Sequence, residues 1–295
     1  MPLQSWIECH GGLAALAQRQ LFFVGGAPRS GTTWLQHLLD AHPDVSCRGE
    51  GHFQKHLAEP MAALLARRRE ALAAKNTALF RHTEGYPLPD TSDADVLVAT
   101  GILLALHRQC AGTPCRAVGE KTPENVFFFP SLKRWFPAAK FIGIARDPRD
   151  LLTSAWHMFH QPRPGEDIDA AKTAFIRSAL PSVANGVWTM LELRRRYPDD
   201  AMIVTYEALQ TAPTPTAAAL FRWLGVTDAA DIVAGCVAET SFAAMTGGRP
   251  PGVEQAGAFF RKGVSGDWAS TLTPAMNDLV LRELGWMFPQ FGWRP

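Results

Sequence analysis

Short apolar runs alternate with segments of helical periodicity along most of the chain. The first run, Leu21–Gly25, is uninterrupted and ends in glycines, which is typical of a strand buried on both faces of a parallel sheet. From Thr32 onward, apolar residues recur with helical spacing, and the stretch "AHPD" is expected to end this helix. The pattern therefore predicts a strand, a glycine-rich loop and a helix, in that order.

The same alternation continues towards the C-terminus. Further strands are predicted at Lys140–Ala145 and Ala201–Leu209, and helices over Glu59–Arg81, Asp93–Gln109 and from about Thr214. Strands that alternate with helices indicate βαβ units, so we expect an α/β fold with a mostly parallel sheet of about five strands flanked by helices. Residues 1–295 are expected to form a single domain.

Composition, net charge and cysteine spacing exclude several classes of function. With 47% hydrophobic residues in 295, the chain can bury a large core, and its net charge of +1 provides no general field for nucleic acid or an anionic membrane. Cys110 and Cys115 lack the second cysteine pair or neighbouring histidine that a zinc site requires. The N-terminus does not resemble a secretory signal, and no apolar run reaches the roughly 18 residues of a membrane span. We therefore expect a cytoplasmic protein with no membrane span, nucleic-acid partner or metal.

The loop "GGAPRSGTT" between the first strand and helix is similar to a P-loop, with one departure. A P-loop reads G-x-x-x-x-G-K-[ST]. Gly26 and Gly31 have the required separation and Thr33 has the Ser/Thr position, but Thr32 replaces the lysine. In P-loop enzymes the lysine reaches the phosphates and the hydroxyl holds magnesium. The sequence therefore favours a loop that binds an anionic nucleotide without a metal.

Four separated stretches, "PRSGTTW", "RDPRDLLTS", "ETSFAAM" and "AFFRKGVSGDW", resemble in this order the motifs of cytosolic-type sulfotransferases. These enzymes use 3′-phosphoadenosine 5′-phosphosulfate (PAPS) and release adenosine 3′,5′-bisphosphate (PAP). The resemblance extends over 21–268 and implies the P-loop-kinase-like sulfotransferase fold, PAPS as cofactor and no metal. The implied cofactor-binding residues are Arg29, Ser30, Gly31, Thr32, Thr33, Trp34, Arg146, Ser154, Tyr206, Thr240, Phe242, Phe260, Arg261, Lys262 and Gly263.

The resemblance also divides these residues among the parts of the cofactor. Residues 29–33 correspond to the loop around the 5′-phosphosulfate. The 3′-phosphate site is matched by Arg146, Ser154 and the segment 261–263. The positions that enclose the adenine are matched by Trp34 and Phe242, and those near the base by Tyr206 and Thr240.

The catalytic base departs from the cytosolic-type pattern. Where those enzymes have K-T-H, this chain has "EKTP", with Pro123 at the position of the histidine. The stretch "RGEGHF" instead resembles carbohydrate sulfotransferases, in which a glutamate within E-x-H-F acts as base. The resemblance thus implies Glu50 as the base, and His52 as an acceptor-site residue or as the base itself. It also implies Lys121 at the transferring sulfuryl group or the acceptor oxygen, and Arg29 at the leaving phosphate.

The implied acceptor is the hydroxyl of a small molecule or carbohydrate, and a glutamate base favours an alcohol over a phenol. Two other functions stay open: a non-catalytic PAP-binding protein, which Pro123 permits, and a magnesium-dependent P-loop kinase, which Thr32 disfavours. The oligomeric state is also open, because "WASTLTPAMND" keeps only part of the dimerisation segment of cytosolic sulfotransferases.

Overall fold

The computed structural model describes residues 3–110, 112 and 115–295 and contains a five-stranded parallel sheet. Its strands, in chain order, are β1 (Gln20–Gly26), β2 (Val45–Gly49), β3 (Ala117–Lys121), β4 (Lys140–Ala145) and β5 (Ala201–Thr205). The spatial order is β2-β3-β1-β4-β5, and every neighbouring pair is parallel. This arrangement confirms the predicted α/β class. The predicted domain of 1–295 includes residues 1, 2, 111, 113 and 114, which lie outside the described part.

Helices lie on both faces of the sheet. Their bounds are α1 (Leu3–Ala17), α2 (Thr32–Asp40), α3 (Glu59–Leu79), α4 (Thr91–Gln109), α5 (Asn125–Trp135), α6 (Pro148–Phe159), α7 (Ile168–Arg196), α8 (Tyr206–Thr211), α9 (Pro213–Leu224), α10 (Ala230–Glu239), α11 (Phe242–Met245), α12 (Pro274–Leu284) and α13 (Phe288–Phe291). A π-helical turn at Gln54–Ala58 precedes α3, and short 3₁₀ turns occur at Asp267–Ser270 and Gly285–Met287.

The central strand β1 separates two hydrophobic cores. Successive strand residues point to opposite faces, so Phe23 joins the core that contains Phe129 of α5, whereas Phe22 joins the core that contains Leu35 of α2. Both phenylalanines are fully buried. With neighbours on both edges and both faces, β1 gives the loop at its carboxyl end a rigid support.

The structure corrects the predicted third strand and adds two that were not predicted. The strand expected over Ala201–Leu209 ends at Thr205, because the Thr205 hydroxyl accepts a hydrogen bond from the Ala208 N–H at 3.1 Å and caps α8. Two short segments, "VSCRG" and "AVGEK", form β2 and β3, which lie on the same side of β1. Both end in charged or glycine residues, which masks the apolar pattern of a strand.

The carboxyl ends of all five strands meet at one edge of the sheet, where α/β proteins bind ligands. Arg29 follows β1, Glu50 follows β2 and Lys121 ends β3. Arg146 follows β4, and Tyr206 follows β5. The parallel topology therefore brings residues from distant parts of the sequence to a common edge.

Candidate active site

The loop between β1 and α2 leaves hydrogen-bond donors free at its tip. Arg29 and Gly31 have φ angles of 73° and 101°, so the chain turns sharply before α2 begins at Thr32. Among the described residues, no side chain caps the N-terminus of α2, whose first N–H groups remain available. Within the same part of the chain, the buried Ser30 Oγ has no hydrogen-bond partner. These features favour an anion at this loop.

Three arginines converge on this loop. Arg146 donates from Nη1 to the Arg29 carbonyl at 3.2 Å and from Nη2 to the Val264 carbonyl at 3.0 Å. Burial, together with the charges of Arg146 and Arg261, lowers the pKa of Arg29 from its ordinary value to about 10. A bound anion would offset both the repulsion and the loss of hydration, so the cluster is suited to a ligand with several negative charges.

Buried carboxylates hold the cationic segment 261–263 in place. Asp267 accepts hydrogen bonds from the side chains of Arg261 and Lys262. Asp150, in the first turn of α6, accepts the Gly266 N–H at 2.6 Å, and burial raises the pKa of this aspartate. The cationic segment is thereby fixed beside the helix that follows β4.

Aromatic rings line the same cavity as the cations. Trp34 donates from Nε1 to the Thr240 carbonyl at 2.9 Å, and its ring lies edge-on to Tyr206 with a centroid distance of 5.4 Å. The Phe242 ring packs so closely on Gly263 that a Cβ at this position would collide with it. Flat aromatic faces of this kind stack on nucleic-acid bases.

The cavity is open to solvent and encloses about 810 Å³ of empty space, solvent at its mouth included. Two predicted cofactor residues, Ser30 and Thr240, do not line it: Ser30 is buried beneath the loop, and the Thr240 hydroxyl donates to the Cys236 carbonyl at 2.7 Å. The predicted residues that do line the cavity are Arg29, Gly31, Thr32, Thr33, Trp34, Arg146, Ser154, Tyr206, Phe242, Phe260, Arg261, Lys262 and Gly263.

Phe259 is a cavity residue that the sequence analysis missed. Its carbonyl accepts a hydrogen bond from Arg29 Nη2 at 2.5 Å, and its ring centroid lies 4.7 Å from the guanidinium carbon. Arg29 Nε donates to Ser154 Oγ at 3.3 Å. The side chain of Arg29 therefore bridges α6 and the loop 258–260. The signal for Phe259 was its place directly before Phe260 in the motif "AFFRKG".

The other three predicted catalytic side chains form a connected group at the ends of β2 and β3. Glu50 Oε1 accepts a hydrogen bond from Lys121 Nζ, and Glu50 Oε2 lies 3.2 Å from His52 Nε2. Lys121 Nζ also donates to Thr33 Oγ1 at 3.3 Å, which connects the group to the cavity. His52 Nδ1 lies 3.9 Å from a carboxylate oxygen of Glu124, a residue that sequence reasoning did not single out.

This arrangement places a carboxylate that can accept a proton next to the anion-binding loop. Lys121 is almost fully buried, whereas the side chains of Glu50 and His52 are about a third exposed, at 36% and 35%. A hydroxyl group from solvent can therefore reach Glu50 while the anion is held by the loop beside Lys121. Among the residues that the structure describes, no group of three or more His, Cys, Asp or Glu side chains is arranged to bind a metal ion.

Comparison with known proteins identifies relatives over most of the chain. A family model described as "Sulfotransferase family" matches residues 22–230. Protein-tyrosine sulfotransferase 2 of Gallus gallus is 33% identical over 129 residues, which cover 44% of this chain and 32% of that protein. Protein-tyrosine sulfotransferase 1 of Danio rerio is 27% identical over 206 residues, 70% of this chain and 53% of that one. The chain thus spans about a third to a half of the length of these relatives.

A solved structure shares the fold over almost the whole chain. A mouse sulfotransferase in complex with PAP superposes with a TM-score of 0.58 and 17% identity, covering 95% of this chain and 88% of that one. At this identity the likeness concerns the fold.

The cytoplasmic location expected from the sequence is wrong: it is contradicted by the curated relatives, which are protein-tyrosine sulfotransferases. That expectation depended on the absence of a signal peptide and of a membrane span, and such absences do not identify a compartment. Within the described residues, no helix has the length and apolar character needed to cross a membrane.

Proposed function

The chain belongs to the sulfotransferase family, and from this we propose that it transfers a sulfuryl group from PAPS to an acceptor hydroxyl and releases PAP. The observation that carries the proposal is the connection, through Thr33 and Lys121, between a cationic, aromatic-walled cavity and the Glu50 carboxylate. We also propose that residues 1–295 form one sulfotransferase domain.

The residues at the cavity fit a nucleotide with phosphates at two positions. The free amides at the start of α2 would hold the 5′-phosphosulfate, with Arg29 beside them. Arg146, whose buried Nε has no partner among the described residues, would hold the 3′-phosphate together with Arg261 and Lys262. Trp34 and Phe242 would enclose the adenine, with Tyr206, Phe260 and Phe259 completing the walls.

When bound, PAPS supplies a sulfuryl group activated by its anhydride bond to phosphate. Around it, the chain supplies positive charge and a base. Arg29 and the loop amides stabilise negative charge at the phosphate end, and Lys121 Nζ stabilises charge on the sulfuryl oxygens. The Glu50 carboxylate takes the proton of the acceptor hydroxyl, and His52, 3.2 Å away, orients that carboxylate.

The proposal also concerns the chemical class of the acceptor hydroxyl. A carboxylate base that is a third exposed suits an alcohol, such as that of a sugar, a lipid or another small metabolite. The names of the curated relatives favour a second candidate, the phenol of a tyrosine in a polypeptide. An assay that supplies both acceptor types with labelled PAPS distinguishes the two. If label enters only tyrosine-containing peptides, the acceptor is the phenol of tyrosine and not an alcohol.

Titration calorimetry with PAP, ADP and ATP–magnesium tests the cofactor. We expect PAP to bind without metal and ADP to bind at least about tenfold more weakly, because ADP lacks the 3′-phosphate and its second 5′-phosphate offsets only part of that loss. Tighter binding of ATP–magnesium than of PAP would instead support the P-loop kinase. If PAP bound but no acceptor in a broad pool became sulfated, the non-catalytic PAP-binding protein would be the better description.

A further inference from the structure

A buried carboxylate lies next to the proposed catalytic lysine and has no assigned role. Glu120, at the end of β3, is 3% exposed. Its Oε1 accepts hydrogen bonds from the Gly51 N–H at 2.7 Å and from the Thr122 hydroxyl, and its Oε2 accepts one from Asn125 Nδ2 at 2.8 Å. Burial raises the pKa of this carboxyl, and these hydrogen bonds act against the shift. A buried acid with several donors marks a network that specifies one geometry.

The network holds the backbone that carries Glu50. Glu120 accepts the N–H of Gly51, and Thr122 Oγ1 accepts the N–H of His52 at 3.2 Å. The two peptide groups that follow Glu50 are therefore both bound to the end of β3. Asn125 extends the network to the central strand, since its Nδ2 also donates to the Val24 carbonyl at 3.1 Å.

The segment needs such an anchor because little else covers it. Gly49, Glu50 and Gly51 are exposed, and the side chain of Glu50 is bound by Lys121 and His52. A general base must lie within hydrogen-bond reach of the proton that it removes, and a displacement of about 1 Å can cost roughly a hundredfold in rate.

We propose that Glu120 and Thr122 are positioning residues, which hold the segment Glu50–His52 in the geometry that sulfuryl transfer requires. This inference depends on the proposed function. It assigns Glu120 and Thr122, the neighbours of Lys121 in "GEKTPEN", to the acceptor side of the site. Lys121 itself contacts Thr33 on the cofactor side and Glu50 on the acceptor side.

The matched variants Thr122→Val and Thr122→Ser test the proposal. Valine has the shape of threonine without the hydroxyl, so His52 N–H loses its acceptor and Glu120 loses one donor, whereas serine keeps both. In Thr122→Val we expect amide hydrogen exchange at His52 to accelerate by about fivefold to tenfold. We expect kcat to fall by about tenfold, with the PAP dissociation constant changed less than about twofold. Thr122→Ser is expected to behave like the wild type.

Glu120→Gln provides a second variant, because an amide cannot accept from Gly51, Thr122 and Asn125 together without placing two donors in contact. Faster exchange at Gly51 with lower kcat and unchanged PAP affinity supports the proposal. Unchanged exchange in both Thr122→Val and Glu120→Gln, or faster exchange with unchanged kcat, overturns it. If the wild-type protein binds PAP but sulfates no acceptor, the proposed function itself is overturned. If the wild type is active and the variants are equally active, only the positioning role is overturned.

Discussion

Arg146→Ala is expected to weaken the binding of PAP by about a hundredfold, because it removes the charge-assisted hydrogen bonds proposed for the 3′-phosphate. The Arg146 guanidinium lines the cavity, and its carbon lies 4.0 Å from the centroid of the Tyr206 ring. Its buried Nε has no partner among the described residues. A bound phosphate would give this nitrogen its acceptor.

The measurement is calorimetric titration of the variant with PAP. Arg146 also donates to the carbonyls of Arg29 and Val264, so the substitution can loosen both loops, and the melting temperature is recorded in parallel. Arg222→Ala is the matched control, because this arginine is exposed and pairs with Asp228 at the surface. PAP affinity close to that of the wild type in Arg146→Ala would remove this residue from the phosphate site.

The part of the fold around β1 could be predicted from the sequence because its signal is local. A continuous apolar run, two glycines and a helix-period pattern follow one another within about twenty residues, and the structure has a strand, a loop and a helix there. The end of β5 could not be predicted, because Thr205, which continues a strand pattern, instead caps the next helix. The choice depends on one hydrogen bond, and hydrophobic periodicity does not report it.

The same distinction between local and long-range signals applies to the candidate site. Residues within contiguous motifs, such as Arg29, Trp34 and Arg261, line one cavity. The roles of Phe259 and Glu120 could not be derived, since each acts on a partner far away in the sequence: Phe259 on Arg29, and Glu120 on Gly51. Such pairings follow from the order of the strands and the path of the C-terminal loop, which a single sequence does not specify.

Glu50→Gln is expected to slow sulfuryl transfer by about a hundredfold or more while leaving PAP affinity unchanged, because glutamine keeps the shape of the side chain and cannot take the acceptor proton. Glu50 is not among the residues that line the cavity, so we expect the nucleotide to bind without contacting this side chain. Single-turnover assays with labelled PAPS give the rate of transfer, and calorimetry gives the affinity for PAP.

The identity of the base then depends on comparison with His52→Ala. The two side chains are 3.2 Å apart, and both face solvent to a similar degree, so position alone does not separate a base from its orienting partner. If Glu50 is the base, His52→Ala costs less than Glu50→Gln, since the carboxylate still accepts a hydrogen bond from Lys121. If His52→Ala abolishes transfer while Glu50→Gln retains it, the base is His52 and Glu50 orients the imidazole, as a carboxylate does when it fixes the tautomer of a histidine base.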